Sequence, residues 1–267
     1  MCTIGSVFKK DGKILLFKTM DAIQHCNGYE PNEVQGEKYK FLKFRTSKDE
    51  KKPGFWAGIN EKGVSILGAD GNEMRKFSGE GYGSFGKLMK SYEICLGNAA
   101  DVFEGVKTLI YDYQINHIGG DGDIILLADK KDLVIIEYAP DEWGLKFRWK
   151  EDYIVRTNFF MTLRHLRPSH EENSLHMSSA RRHARALDIL SRKSRNTNVK
   201  DLIALTKDHE VEPPSAITIC RHGGDNEYKT QSSIVMEIQQ KKAVIHYQLE
   251  NYPCKGKYKK MTYNFTD

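Results

Sequence analysis

A chain of 267 residues, 39% hydrophobic and 29% charged, is long enough to bury a core and too apolar to remain disordered. Its formal charge of +5, from 41 basic against 36 acidic residues, is small and dispersed, which argues against a nucleic-acid partner and is compatible with an anionic substrate. No apolar run reaches the roughly 18 residues of a membrane helix, and Lys9, Lys10, Asp11 and Lys13 interrupt the first stretch before it could serve as a signal; five cysteines without a CxxC pair then read as reduced thiols of a cytoplasmic protein.

Residues 3–8 and 13–19 are two apolar-rich runs joined at Lys10-Asp11-Gly12, and Asp-Gly between such runs is the strongest short hairpin signal. Cys2 therefore stands at the mouth of the first strand. Further strands are predicted over 39–45, 55–60, 63–69, 123–128, 132–138, 144–150 and 153–158, with short turns such as Asp129-Lys130-Lys131 implying antiparallel sheet. The Gly- and Lys-rich stretches 47–54 and 71–87 read as loops. Val102, Phe103, Val106, Leu109, Ile110 and Tyr113 recur at helical spacing, which predicts a helix over 99–116 with Asn98 as its cap. Two more helices are expected over 178–195 and 198–209, the second capped by Asn198. Beyond Pro213-Pro214 the chain returns to strands at 215–221, 230–238, 241–249 and 257–264. Strands, then helices, then strands predict an α+β layered fold, and the absence of repeats or linker composition predicts a single domain over 1–267.

By position, Cys2 has the most chemistry to offer. Loss of Met1, expected where the second residue is small, would leave a cysteine carrying both a thiol and a free α-amine. An α-amine has a pKa of about 7.7–8.0, so it is partly neutral at physiological pH and can take the thiol proton. Nucleophile and base then reside in one residue.

The stretch from Met1 to Asp21 closely resembles the opening of the bile salt (choloylglycine) hydrolases, N-terminal-nucleophile enzymes that begin Met-Cys-Thr, turn at Asp-Gly and return through an Arg-Asn-x-Asp segment. The matching residues are Cys2, Thr3, Asp11, Gly12, Lys18, Thr19, Met20 and Asp21, in register without a gap. The resemblance implies that Cys2 is the nucleophile, that Asp21 holds the terminal amine, and that Lys18 favours the thiolate; Lys18 replaces an arginine, keeping charge and losing bidentate geometry. Trp56 to Val64, followed by Gly68-Ala69-Asp70, is similar to the family's Gly-hydrophobic-Asn-Glu-x-Gly-Leu segment, in which an oxyanion-stabilising asparagine stands at the position of Asp70. A carboxylate there would repel a developing oxyanion. Either Asp70 is displaced, its backbone donates, or Asn72 supplies the amide. Val155-Arg156-Thr157-Asn158 resembles the Thr-Asn that brings a side-chain amide to the oxyanion, which gives that role to Asn158. Ser178 to Leu187 is similar to a family helix bearing Ser-x-x-Arg and a second arginine three residues later, which places Arg182 near the nucleophile and Arg185 on the same helix face, open to substrate.

The ending, Thr230 to Met236 and Tyr252-Pro253-Cys254, is more like the penicillin acyltransferase branch. The resemblance as a whole implies a four-layer αββα sandwich of two antiparallel sheets. It also implies a hydrolase acting on the C–N bond of small linear amides through an acyl-Cys2 intermediate, with acyl transfer or a non-catalytic binding protein on the same fold as alternatives. The expected partner is a small-molecule amide, favoured in carboxylate-bearing form by Lys18, Arg182 and Arg185, with no nucleic acid and no membrane; a homo-oligomer is left open.

No cofactor and no metal are expected. Gly81-Tyr82-Gly83-Ser84-Phe85-Gly86 satisfies GxGxxG, but no βαβ unit surrounds it, and the stretch reads as a flexible loop. His165, His170, His176 and His183 match neither HExxH nor a zinc-finger spacing, and no local sequence supports Cys95, Cys220 or Cys254 as a papain-type nucleophile.

Overall fold

A computed structural model describes residues 1–22, 29–45, 55–71, 83–116, 122–139, 142–147, 151–166, 174–210, 213–215, 217–224, 227–249 and 252–266. In chain order the elements are β1 (Cys2–Phe8), β2 (Ile14–Ala22), β3 (Tyr29–Gln35), β4 (Lys40–Arg45), β5 (Phe55–Asn60), β6 (Ser65–Asp70), α1 (Gly83–Asn98) and α2 (Val102–Ile115). There follow β7 (Asp123–Ala128), β8 (Leu133–Ala139), β9 (Glu142–Phe147), β10 (Tyr153–Arg156), α3 (Ser174–Ser191), α4 (Val199–Thr206), β11 (Lys229–Ile238), β12 (Lys242–Gln248) and β13 (Lys259–Asn264). They fall into two compact units. The first comprises Met1–Gly28, Trp149–Phe159 and Pro168–Tyr263; the second comprises Tyr29–Arg148, Phe160–Arg167 and Asn264–Asp267.

The first unit holds a sheet in the order β10-β1-β2-β11-β12-β13. Its nucleus is the β1–β2 hairpin, registered from Cys2 opposite Met20 to Phe8 opposite Ile14. Gly12 takes φ +80° in the connecting turn, a left-handed conformation that glycine adopts without steric cost. Side chains alternate across a strand, so Val7, Leu15, Phe17, Val155 and Val235 present one face, packed on Ala186 and Leu190 of α3 and Leu202 and Leu205 of α4. Asn198 caps α4 as predicted, in a reciprocal capping box with Asp201.

The second unit holds a sheet in the order β3-β4-β5-β6-β7-β8-β9, each strand paired with its neighbour in sequence. Helices α1 and α2 cover one face, where Tyr92, Leu96, Val102, Leu109 and Tyr113 meet Phe55, Ile66, Leu127 and Ile136. Asn60 ties this unit together. Its Nδ2 donates to the carbonyls of Leu96 and Ala99, at 2.9 and 2.7 Å. Its Oδ1 accepts from the backbone of Lys62 and Val64, at 3.1 and 2.9 Å. Asn60→Ala is expected to cost about 2–4 kcal/mol by urea denaturation, because several buried backbone groups lose their partner at once; a loss below about 1 kcal/mol would show that water replaces the amide.

Several elements differ from the sequence expectation. Gly83 to Gly86 open helix α1 instead of lying in a loop, while Gly81 and Tyr82 lie outside the described residues. Asn98 ends α1, and the cap of α2 is Asp101, whose side chain accepts from Glu104 N at 2.9 Å. The described residues of the segment 215–221 form no strand. There the Thr218 hydroxyl contacts the carbonyls of Ser215 and Cys220, at 3.0 and 2.7 Å, and such local side-chain bonds compete with a ladder. Strand β3, polar and carrying Pro31, went unpredicted; it is an edge strand, where proline is tolerated. No helix among the described residues is long and apolar enough to cross a membrane.

Candidate active site

The hairpin and strand β10 build the site. The pairing Ile4 opposite Arg156, continued two residues past the end of β10, sets Asn158 against Cys2. Asn158 Oδ1 accepts the Cys2 backbone N–H at 2.8 Å. From α3, Arg182 enters the same place fully buried. It donates to the Cys2 carbonyl at 2.7 Å, to Thr3 Oγ1 at 2.9 Å, to Asn158 Oδ1 at 3.1 Å and to Ser179 Oγ at 3.2 Å. Backbone, amide and guanidinium thus hold the first residues of β1 rigidly from three directions. Since both Cys2 N–H and Arg182 point at Oδ1, donation from the Asn158 amide to any substrate falls to Nδ2.

Asp21, at the end of β2, has a side chain with no exposed surface and lies 3.9 Å from Arg182 and 3.7 Å from Arg221. Thr230 Oγ1 donates to its Oδ1 at 2.8 Å, and the same hydroxyl oxygen accepts Arg221 N at 2.8 Å. Asp21 Oδ2 accepts no hydrogen bond among the described residues. One buried carboxylate faces two guanidiniums, and Glu227 also acts on Arg221. Burial pushes the Arg182 pKa down to about 10, with Asp21 opposing the shift and Arg221 adding to it; the group is still charged at neutral pH. Burial also lowers Arg221, again opposed by Asp21.

Met1 occupies the space beside this cluster. It is buried, its amine donates to the Asp21 carbonyl at 2.9 Å, and its Sδ lies 3.5 Å from Arg221 and 3.9 Å from Arg182. With Met1 in place the Cys2 nitrogen is an amide, and its partner is the Asn158 side chain, whereas the sequence expectation assigned the terminal amine to Asp21. Lys18 is buried opposite Ile4, and Cys2 is opposite Met20. Strand alternation therefore sets Cys2 and Lys18 together on the sheet face turned away from α3 and α4.

Cys2, Asp21, Asn158 and Arg182 are thus brought together, and Lys18 shares the face of the thiol. Arg185 is not part of the set. Its guanidinium forms a bidentate pair with Asp208, at 2.9 and 2.7 Å, and this pair raises its pKa. Asp70 belongs to the second unit, at the end of β6 across from Asp123, two residues after Gly68, where a Cβ would run into the Tyr92 hydroxyl. Asn72 lies outside the described residues. Sequence reasoning missed Arg221 and the hydroxyl role of Thr230; the one local signal for Arg221 is its place between Cys220 and His222 in a Cys-x-His triplet.

The histidines weighed for metal binding do not converge: His165 pairs with Glu142 at 2.7 Å, His176 and His183 pack around Phe159, and His170 lies outside the described residues. A different set, His209, Cys220, His222 and Cys254, does converge.

A family model described as acyl-coenzyme A:6-aminopenicillanic acid acyl-transferase matches residues 114–251. A search of curated proteins returns no match. Among solved structures, the C2A mutant of a conjugated bile acid hydrolase from Clostridium perfringens is similar with a TM-score of 0.59 at 14% identity, covering 100% of this chain and 98% of that one. A penicillin V acylase from Agrobacterium tumefaciens is similar with a TM-score of 0.53 at 13% identity, covering 93% of this chain and 83% of that one. These likenesses bear out the N-terminal-nucleophile hydrolase fold class, with its two antiparallel sheets and accompanying helices. Matched over more than half its length, the chain belongs to the acyl-coenzyme A:6-aminopenicillanic acid acyl-transferase family.

Proposed function

We propose that the chain is a cysteine N-terminal-nucleophile amidohydrolase that cleaves the C–N bond of small linear amides once Met1 is removed. The observation that carries this reading is the buried convergence of Asn158 and Arg182 on the backbone of Cys2, with Asp21 beside Arg182. In the mature chain the neutral α-amine of Cys2 takes the thiol proton, and Sγ attacks the substrate carbonyl carbon. The carbonyl oxygen gathers negative charge, with Asn158 Nδ2 as its donor. As the C–N bond breaks, the proton on the α-amine passes to the departing nitrogen, leaving a thioester on Cys2. Water, deprotonated by the same amine, then releases the acid. Loss of Met1 uncovers Asp21, Arg182 and Arg221 beside the new amine, and the two guanidiniums suit a substrate carrying a carboxylate.

The family match favours a second reading, in which an amine takes the acyl group in place of water. The two similar structures are named for a conjugated bile acid hydrolase and a penicillin V acylase, which indicates the amides to test. N-acyl amino acids, conjugated bile salts and penicillins should therefore be screened with intact-mass detection of acylated Cys2. No acyl adduct and no turnover across all three classes would defeat the proposal and favour a binding protein on this fold. We further place its work in the cytoplasm, supported by free thiols at Cys2, Cys95, Cys220 and Cys254. The whole chain is read as one functional domain, supported by its repeated passage between the two units.

Asn158→Ala is expected to lower kcat by about 10²–10³-fold. Asn158→Asp separates two roles, since it retains an oxygen for Cys2 N–H and Arg182 but has no Nδ2 donor. Near-normal kcat in the aspartate variant would limit Asn158 to positioning.

A further inference from the structure

In the first unit, His209, Cys220, His222 and Cys254 each offer one ligand atom, and these atoms all lie within 4.8 Å of one another. His222 Nε2 lies 3.2 Å from Cys254 Sγ and 3.7 Å from Cys220 Sγ. A tetrahedral zinc ion with Zn–S of about 2.3 Å and Zn–N of about 2.0–2.1 Å sets its donors about 3.3–3.8 Å apart. The quartet needs only small side-chain adjustments to reach that spacing.

The surrounding chain holds the donors in place. Arg185 grips the Asp208 carboxylate, Arg181 pairs with Glu210 at 3.1 Å, and His209 lies between those two acidic residues. The Asp208 carbonyl accepts Cys220 N at 3.0 Å, and the Ser215 carbonyl accepts His222 N at 3.0 Å. The His222 ring stacks on Tyr252 at 3.8 Å with a 9° interplanar angle, and lies perpendicular to His209 at 88°. Cys254 follows in a turn whose Tyr252 carbonyl accepts Lys255 N at 2.9 Å.

We propose that His209, Cys220, His222 and Cys254 form a four-coordinate structural Zn²⁺ site. Two thiolates and two imidazoles in a closed set select a borderline-soft tetrahedral ion over Mg²⁺ or Ca²⁺, which take oxygen ligands. The ion binds the thiolate forms of Cys220 and Cys254, so metal uptake releases protons. Arg221 sits between two of the ligands with its guanidinium 3.7 Å from Asp21. The ion therefore fixes the turn that carries Arg221 to the active-site carboxylate.

The site is tested in the full-length Cys2→Ala chain, so that the result is independent of catalysis and of any metal bound at Cys2. Purified without a histidine tag under reducing conditions, it is expected to carry about one zinc per chain by elemental analysis. After chelation, Co²⁺ should restore a thiolate-to-cobalt charge-transfer band and the intense visible bands of tetrahedral cobalt. Zn²⁺, but not Mg²⁺, should raise the melting temperature of the stripped chain. Cys254→Ser and His209→Ala should each weaken zinc binding by more than the ~100-fold that loss of an outer-shell partner costs. Because such variants can fail to fold, the cobalt titration of the unsubstituted quartet is decisive. Absence of both retained zinc and cobalt charge transfer overturns the proposal, as does a Cys220–Cys254 disulfide in peptide mapping of freshly purified protein.

Discussion

Cys2→Ala is expected to lower turnover by at least about 10⁴-fold, the scale at which loss of a covalent nucleophile is felt, while the melting temperature stays within a few degrees of the parent. The fold uses Cys2 through its backbone: its N–H is held by Asn158 and its carbonyl by Arg182. Alanine keeps both bonds and removes only Sγ, on the sheet face turned away from α3 and α4. The same substitution still permits loss of Met1, so processing and catalysis are tested separately, by intact mass and by turnover. Residual activity above about 1% of the parent would place the nucleophile elsewhere. A chain that retains Met1 should also be inactive, because its Cys2 nitrogen is an amide and cannot accept a proton. In the processed enzyme kcat/KM should fall as pH drops through the α-amine pKa, because the base must be neutral.

Asp21→Asn is expected to destabilise the protein by about 3–5 kcal/mol, the cost of leaving buried charge without its partner. Arg182 has no exposed side-chain surface and Arg221 has 4%, and Asp21 is the carboxylate that faces both. Asparagine retains an acceptor for Thr230 and removes only the charge, so the loss isolates electrostatics from packing. Urea denaturation near pH 7 measures it. A loss under about 1 kcal/mol would mean that water or another anion compensates the guanidiniums. Adding Arg221→Met should recover part of the stability, because two residues that share one partner do not act additively. Recovery of stability without recovery of turnover would assign Asp21 a role at the nucleophile beyond holding the fold.

What could be read locally was read from short-range chemistry. Asp11-Gly12 between apolar runs specified the first hairpin, and with it the return of Lys18 and Asp21 towards Cys2. Asn198 with Asp201 three residues on specified the start of α4. Helix α1 was legible in principle, since Leu88, Met89, Tyr92, Cys95 and Leu96 follow helical spacing, but the glycines at its start read as loop.

The site itself depends on pairings that no local pattern encodes. Asn158 meets Cys2 because β10 lies against β1, and Thr230 meets Asp21 because β11 lies against β2. Arg221 and the His209, Cys220, His222 and Cys254 quartet come from a loop and turns whose spacing fits no compact motif. By itself, the sequence determined the hairpin, the cap of α4 and the nucleophile candidate, because these rest on residues a few positions apart. The resemblance named Asn158, Asp21 and Arg182; only the tertiary structure decided which bonds they make around Cys2 and added Arg221, because sheet order brings together residues more than 150 positions apart, as with Cys2 and Asn158, and that order is set by burial of whole strand and helix faces.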